Sequence, residues 1–388
     1  MNSRGGLVLA LTLAYTAAVP AARVFPEESR SDAMPGMDLN NQGVMEARSG
    51  HFEQGVSLLR QALLKEPGDV QIRRNLSGIL SDWAVQLEQQ GQSDRAIQAL
   101  EEAVKYDPEN GKALVVLGNF SYLLRNDLTQ AIQFWKQAYG KIPPDQSAAL
   151  LEKISRAQRD LAIERGFTGL RTAHFHLCFE ASGKAPEAAG LGDVLEREYK
   201  RLSQAVGAAP PVLTVIVYTD QNFKRVAGSQ DWALGLYDGR IRMRLDDLGT
   251  ERTQPILAHE LAHAFLAQAY GPRVPIWIHE GFAQTQEPPT PPTDRQKAVL
   301  QEIISRTSWI PLRWIDRRFE QPSGREDLER AYTESRLVVD FLIRSKGMDR
   351  FQEFVKKVGS GGPVEQAFDQ TFAPLRWSKI EQGILDPF

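Results

Sequence analysis

The sequence predicts two units in series, an α-solenoid followed by an α+β domain. Three observations carry this expectation. Residues 36–145 repeat themselves at a period near 35. From Gly166 the pattern changes to short alternating strands and then to a run of helices. At 388 residues the chain is long for one compact domain and sufficient for two.

The repeat is read from three copies. Gly50-His51-Phe52 leads through Ala62 to Pro67, Gly91-Gln92-Ser93 through Ala103 to Pro108, and Asn126-Asp127-Leu128 through Ala138 to Pro143. The last two copies are 35 residues apart and the first lies 41 ahead, so an insertion is expected around Val70–Ser77. Alanine at helix crossings lets backbones approach, proline closes the second helix, and Gly50, Gly91 and Asn126 suit a left-handed turn. This pattern resembles the tetratricopeptide repeat (TPR), and three copies meet the usual minimum for a stable stack. The resemblance implies a concave face for a protein or peptide partner. Asp145–Arg165 reads as a further amphipathic helix, with Leu150, Leu151, Ile154, Ala157 and Leu161 on one side. Residues 146–165 are thus expected to cap the solenoid and link it to residues 166–388.

The net charge of −3 offers no basic excess to neutralise phosphates, which argues against a nucleic-acid partner. The single Cys178 permits neither an internal disulfide nor a cysteine metal cluster, and it sits in the alternating run from His174 to Phe179 as a strand residue. At the N-terminus, Arg4 precedes an apolar stretch from Leu7 to Ala18 and small residues around Val19–Ala22. That is the three-part pattern of a signal peptide over residues 1–22, so the protein is expected to be exported to a bacterial periplasm or secreted. The stretch is short for a bilayer span of about 20 residues, so no stable membrane span is expected after its removal.

In the second unit, His174–Glu180 and Leu213–Tyr218 read as strands and Gly192–Val206 as a helix. Leu234–Leu245 contains the alternation Arg240-Ile241-Arg242-Met243-Arg244, which suits an exposed edge strand with its charges in water. Pro255–Leu266 then reads as a helix capped by Thr253 and ended by Gly271-Pro272. It contains His259-Glu260-x-x-His263. Residues four apart share a helix face, so both imidazoles can reach one ion while Glu260 points at a water beside it. Sixteen residues separate His263 from Glu280 in Trp277-Ile278-His279-Glu280-Gly281-Phe282-Ala283.

Together these motifs resemble the gluzincin zinc peptidases, with a thermolysin-like α+β catalytic domain. More narrowly they resemble the peptidase MA-like family, over roughly residues 170–375. The resemblance implies one Zn2+ per chain held by His259, His263 and Glu280, with a position left open for water. Glu260 is then the general base, and Gly281 the residue at which the two zinc helices approach. Trp277 is expected in the core. His279 replaces an asparagine common in such families and either hydrogen-bonds near the site or faces away. Gln284 stands where thermolysin has an aspartate behind the zinc ligands. Glu287 matches a glutamate of the aminopeptidase branch, on the same face as Glu280 if the helix continues to it. Ala331-Tyr332-Thr333-Glu334-Ser335 resembles the start of a helix that presents a transition-state tyrosine, which makes Tyr332 the expected oxyanion donor. The edge strand is expected to pair with an extended substrate. It has no glutamate in Leu234–Leu245 to hold a free amine, so an endopeptidase is expected over an exopeptidase. The stretch Glu287–Thr293 reads as a stiff polyproline-like connector beside the cleft. The expectation is an exported zinc metallopeptidase whose TPR unit recruits substrate or a partner. The alternative is a catalytically silent peptidase-like scaffold in a cell-envelope complex.

Overall fold

The structure is a computed structural model that describes residues 35–180, 185–210, 212–227, 235–289, 294–305, 310–377 and 380. The N-terminal segment 1–22 and the connector residues 290–293 lie outside the described residues. Those that are described divide into two compact units between Arg165 and Gly166.

The first unit is an all-helical stack: α1 (Pro35–Arg48), α2 (Phe52–Lys65), α3 (Val70–Gln89), α4 (Ser93–Tyr106), α5 (Gly111–Leu123), α6 (Leu128–Ala138) and α7 (Pro144–Glu164). Helices α1/α2, α3/α4 and α5/α6 pack as pairs. The turns within the pairs hold Gly50, Gly91 and Asn126 at φ of 89°, 73° and 52°. Ala62, Ala96, Ala103, Ala131 and Ala138 are all buried at the crossings. The extra residues of the first copy form no loop: α3 runs for 20 residues where α5 has 13. Asp69, Asn110 and Asp127 cap α3, α5 and α6 through side-chain bonds to amides three residues on. Helix α7 buries Leu150, Ile154 and Ala157, but Leu151 is exposed rather than on the packed side.

The second unit centres on a five-stranded sheet of order β1-β2-β3-β5-β4, with β1 (Thr168–Arg171), β2 (Phe175–Phe179), β3 (Leu213–Tyr218), β4 (Gly235–Tyr237) and β5 (Ile241–Arg244). The inner three strands run parallel, and β1 and β4 are antiparallel to their neighbours. Strand β3 is buried along its whole length, as a central parallel strand requires. Strand β2 alternates, sending Phe175, Leu177 and Phe179 into the core with Leu195, Tyr199 and Leu202 of α8 (Ala185–Val206). Helix α9 (Asp220–Ala227) packs on β3 and β5.

The expectation for Arg240–Arg244 is corrected here. Strand β5 lies between β3 and β4, and the shorter β4 is terminal in the sheet. Arg240 and Arg242 are buried, not in water. A buried guanidinium needs anionic and polar partners. Asp238 and the Tyr218 hydroxyl accept from Arg242 at 3.0 and 2.7 Å. Alternation of charged and apolar residues thus marked two differently covered faces rather than one wet face.

Among the described residues, seven helices complete the unit: α10 (Thr253–Tyr270), α11 (Ile276–Gln286), α12 (Asp294–Ile304), α13 (Leu312–Glu320), α14 (Arg325–Lys346), α15 (Met348–Gly359) and α16 (Val364–Thr371). Every residue from Ile256 to Leu266 in α10 is buried, so this helix runs through the core with α8, α11, β4 and β5 around it. Thr253 does not cap it. Its hydroxyl donates to the Asp247 carbonyl at 2.6 Å instead.

Candidate metal centre

Helix α10 presents His259 and His263 on one face, and α11 returns to bring Glu280 against them. One ligand atom from each of the three residues lies within 4.8 Å of the others, and all three side chains are buried. Glu280 Oε2 is 3.5 Å from His259 Nε2, and Oε1 is 3.8 Å from His263 Nε2. The imidazole rings meet at 79° with centroids 4.8 Å apart.

These dimensions fit a metal ion. Nitrogen and oxygen ligands of tetrahedral zinc sit about 2.0–2.1 Å from the ion, which sets them roughly 3.4 Å from one another. His259 Nε2 is buried without a hydrogen-bond partner among the described residues, a costly arrangement for an imidazole with nothing to ligate. At 3.5 Å, Glu280 is an ion-pair neighbour of that nitrogen rather than a hydrogen-bond partner.

Behind His259, Glu287 Oε1 lies 2.8 Å from Nδ1, which leaves Nε2 for the metal. The helix does not continue to Glu287. It ends at Gln286, and Glu287 is extended at φ −63°, ψ 145° because Pro288 follows. The carboxylate reaches the imidazole from this extended position.

Charge in the site follows from burial and close packing. Burial opposes a charge on His259, but Glu280 and Glu287 outweigh it and hold the imidazole up to about 10. His263 is kept neutral, well below its ordinary value, by burial and then by His259 and His279. Burial pushes Glu260 up to about 8; His259 opposes this, and Glu280, Glu287 and Asp238 add to it. A cation held by the three ligands places positive charge beside Glu260 and favours its ionised form.

Glu260 has a neighbour that the motifs did not disclose. A side chain at Gly235 in β4 would put its Cβ 2.8 Å from Glu260 Cγ and Oε1 and 3.0 Å from Ile256 Cγ2. Gly235 opens β4, and the absence of a side chain there is what permits this close approach. Behind β4, Asp238 carries the ion pair with Arg242.

Helix α11 is fixed from two sides. At its N-terminus Pro275 has no capping side chain, and Asp316 of α13 accepts from the Trp277 amide at 2.9 Å. On its flank, a Cβ at Gly281 would collide with the Ser335 carbonyl oxygen of α14. Gly281 therefore serves the α11–α14 crossing, a correction to its expected place between the two ligand helices. Gln284 ties the same pair, donating to the carbonyls of Tyr332 at 2.8 Å and Glu280 at 3.2 Å. Trp277 is buried in the main core. His279 meets neither expectation: it is buried with its ring 5.7 Å from His263, neither ring nitrogen has a hydrogen-bond partner among the described residues, and burial pulls it down to about 4, so it is neutral.

Tyr332 is in the second turn of α14, which starts at Arg325 rather than at Ala331. Its ring meets Phe319 edge-on at 5.0 Å, and its carbonyl takes the bond from Gln284.

Residues 210–374 match the Peptidase MA superfamily, and residues 82–147 match a tetratricopeptide repeat. Comparison with curated proteins finds no match. The chain is a TPR region followed by a peptidase MA-like domain, a domain type that is typically metal-dependent.

Proposed function

We propose that this protein is a zinc-dependent endopeptidase acting outside the cytoplasm, with the TPR unit recruiting a substrate or partner protein. The observation that carries the reading is the convergence of His259, His263 and Glu280 in one buried cluster with Glu260 beside it. When bound there, the zinc supplies Lewis-acid polarisation of a peptide carbonyl and lowers the pKa of a water. His259 and His263 would hold the zinc through their imidazoles and Glu280 through its carboxylate. Glu287 holds His259 in the tautomer that leaves Nε2 free.

Glu260 takes a proton from the attacking water as the water oxygen bonds to the carbonyl carbon. It then delivers that proton to the amide nitrogen as the C–N bond breaks, leaving a carboxylic acid and an amine. An extended peptide added along β4 passes Gly235, against which Glu260 lies with no side chain between them. The β4–β5 region carries no glutamate to hold a free N-terminus, which favours internal cleavage. Tyr332 as oxyanion donor rests on the resemblance of its helix. The N-terminal Arg4 and Leu7–Ala18 pattern supports export.

The test is Glu260→Gln on the full chain. Zinc content is expected to stay near one ion per chain while cleavage of a denatured protein library falls by about 10²–10⁴-fold. A wild type that binds zinc but cleaves nothing in that library would favour the silent scaffold, and a wild type without zinc would remove the metal centre.

A further inference from the structure

A half-exposed arginine on α8 ends in a bonded chain at the metal site. Glu198 is buried, and its two oxygens take bonds from two helices: Gln254 Nε2 of α10 at 3.1 Å and Arg201 Nε at 2.8 Å. With Nε held, the planar guanidinium is oriented as a unit. Its two terminal nitrogens reach the last residue of α11: Nη1 donates to Gln286 Oε1 at 2.8 Å and Nη2 to the Gln286 carbonyl at 3.2 Å. That carbonyl belongs to the final turn, where helix carbonyls lack intrahelical donors and a cation is favoured by the helix dipole. One peptide later stands Glu287, whose carboxylate contacts His259 Nδ1.

We propose that Arg201 is a positioning residue for the metal centre, acting through Gln286 on Glu287 and through Glu287 on His259. Two constraints set where the Glu287 carboxylate lies. Pro288 confines the Glu287 backbone to the extended region and so ends the helix by Gln286, but it does not fix the direction of the Gln286 carbonyl. Arg201 supplies the second constraint by fixing the carbonyl from which that extended residue departs. Glu198, bonded to α10 as well, refers this anchor back to the helix that carries His259 itself. The histidine and its supporting carboxylate are thereby held in one frame, though they are 28 residues apart in the chain.

This inference rests on the metal-centre reading, and its test separates the two. Zinc affinity of the full chain is measured by competition with a chromogenic chelator for the wild type, R201Q, R201K, E287Q and the R201Q/E287Q pair. Cobalt(II) absorption is recorded for each, and the melting temperature of the metal-free proteins serves as the control for folding. Loss of a carboxylate behind a ligating histidine weakens metal binding roughly 10–100-fold, so E287Q is expected in that range. R201Q, one link further out, is expected to weaken it about 3–10-fold, with an altered cobalt spectrum and R201K between it and the wild type. In the E287Q background the R201Q change is expected to have no further effect, the signature of one residue acting through another. If the wild type takes up no zinc, the metal-centre reading falls and this one with it. If the wild type binds zinc and R201Q matches it, or if the two losses are fully additive, only the positioning role falls.

Discussion

Gly235 of the sheet lies against Glu260 of α10 with no space for a side chain between them. A methyl group at residue 235 would press on the Glu260 side chain and Ile256 Cγ2, both more compliant than backbone. Gly235→Ala is therefore expected to keep the fold and the zinc while re-aiming the base, with kcat lowered about 10-fold or more. Equal kcat in the two proteins would show that Glu260 is not held by this contact. His259 yields a second expectation. Its folded pKa of about 10 stands above the ordinary 6.5, so the ion pairs it makes stabilise the metal-free fold fully below pH 6.5. They are lost as the pH rises through 10. A zinc ion takes the place of that proton, so binding at pH 7 is expected to release a proton and to weaken as the pH falls. Calorimetric titration in two buffers of different ionisation enthalpy reads the protons released, and Glu260→Gln removes the share that Glu260 gives up. Identical apparent heats would mean that His259 is already neutral.

Among the elements, α11 depends most on its neighbours. Eleven residues are few for a helix to stand alone, and its N-terminal amides are satisfied by Asp316 from another helix. Burial pushes the Asp316 carboxyl up to about 6 from 3.8, against the opposing bonds from the Trp277 and Ile276 amides, with Glu320 adding to the rise. A raised carboxyl favours the fold fully below pH 3.8, and that advantage is lost as the pH rises through 6. Asp316→Asn keeps an acceptor without the charge. It is expected to be more stable than wild type by about 1–3 kcal/mol at pH 8, the gain vanishing by pH 3.8. Asp316→Ala, which loses the cap, is expected to be less stable than Asp316→Asn by about 1 kcal/mol. Denaturant titrations at the two pH values check both, and a pH-independent Asn difference would discard the assignment.

For the whole molecule, the two units keep separate cores. Phe175, Leu261, Phe282 and Phe354 belong to one cluster, and the helices of the repeats are packed by two others. His259, His263 and Glu280 all lie in the second unit. Calorimetry is therefore expected to resolve two unfolding transitions, of which only one moves when zinc is removed. At zinc 100-fold above its dissociation constant the shift corresponds to about 2.7 kcal/mol. A chelator that moves both transitions, or neither, would contradict this division.

Much of this was legible in the chain because local rules carried it. Gly50, Gly91 and Asn126 announce left-handed turns whatever surrounds them, and the spacing of His259 and His263 fixes their common face by helix geometry alone. The order of elements and the His259–His263 pair follow from such short-range patterns, whereas Glu280 was singled out by the resemblance of its motif. What sequence spacing left open was coverage and long-range contact. Arg240 and Arg242 read as surface charges until the position of β5 between two strands buried them. Gly281 faces α14 because that is where α14 crosses, a fact with no local signature. Asp316 and Arg201 acquire their partners only when distant segments meet at hydrogen-bonding distance, and Gly235 its neighbour only when α10 packs against β4. A pattern within one helix or strand repeats at a fixed backbone period, whereas a neighbour supplied from elsewhere in the chain is set by packing of the entire core.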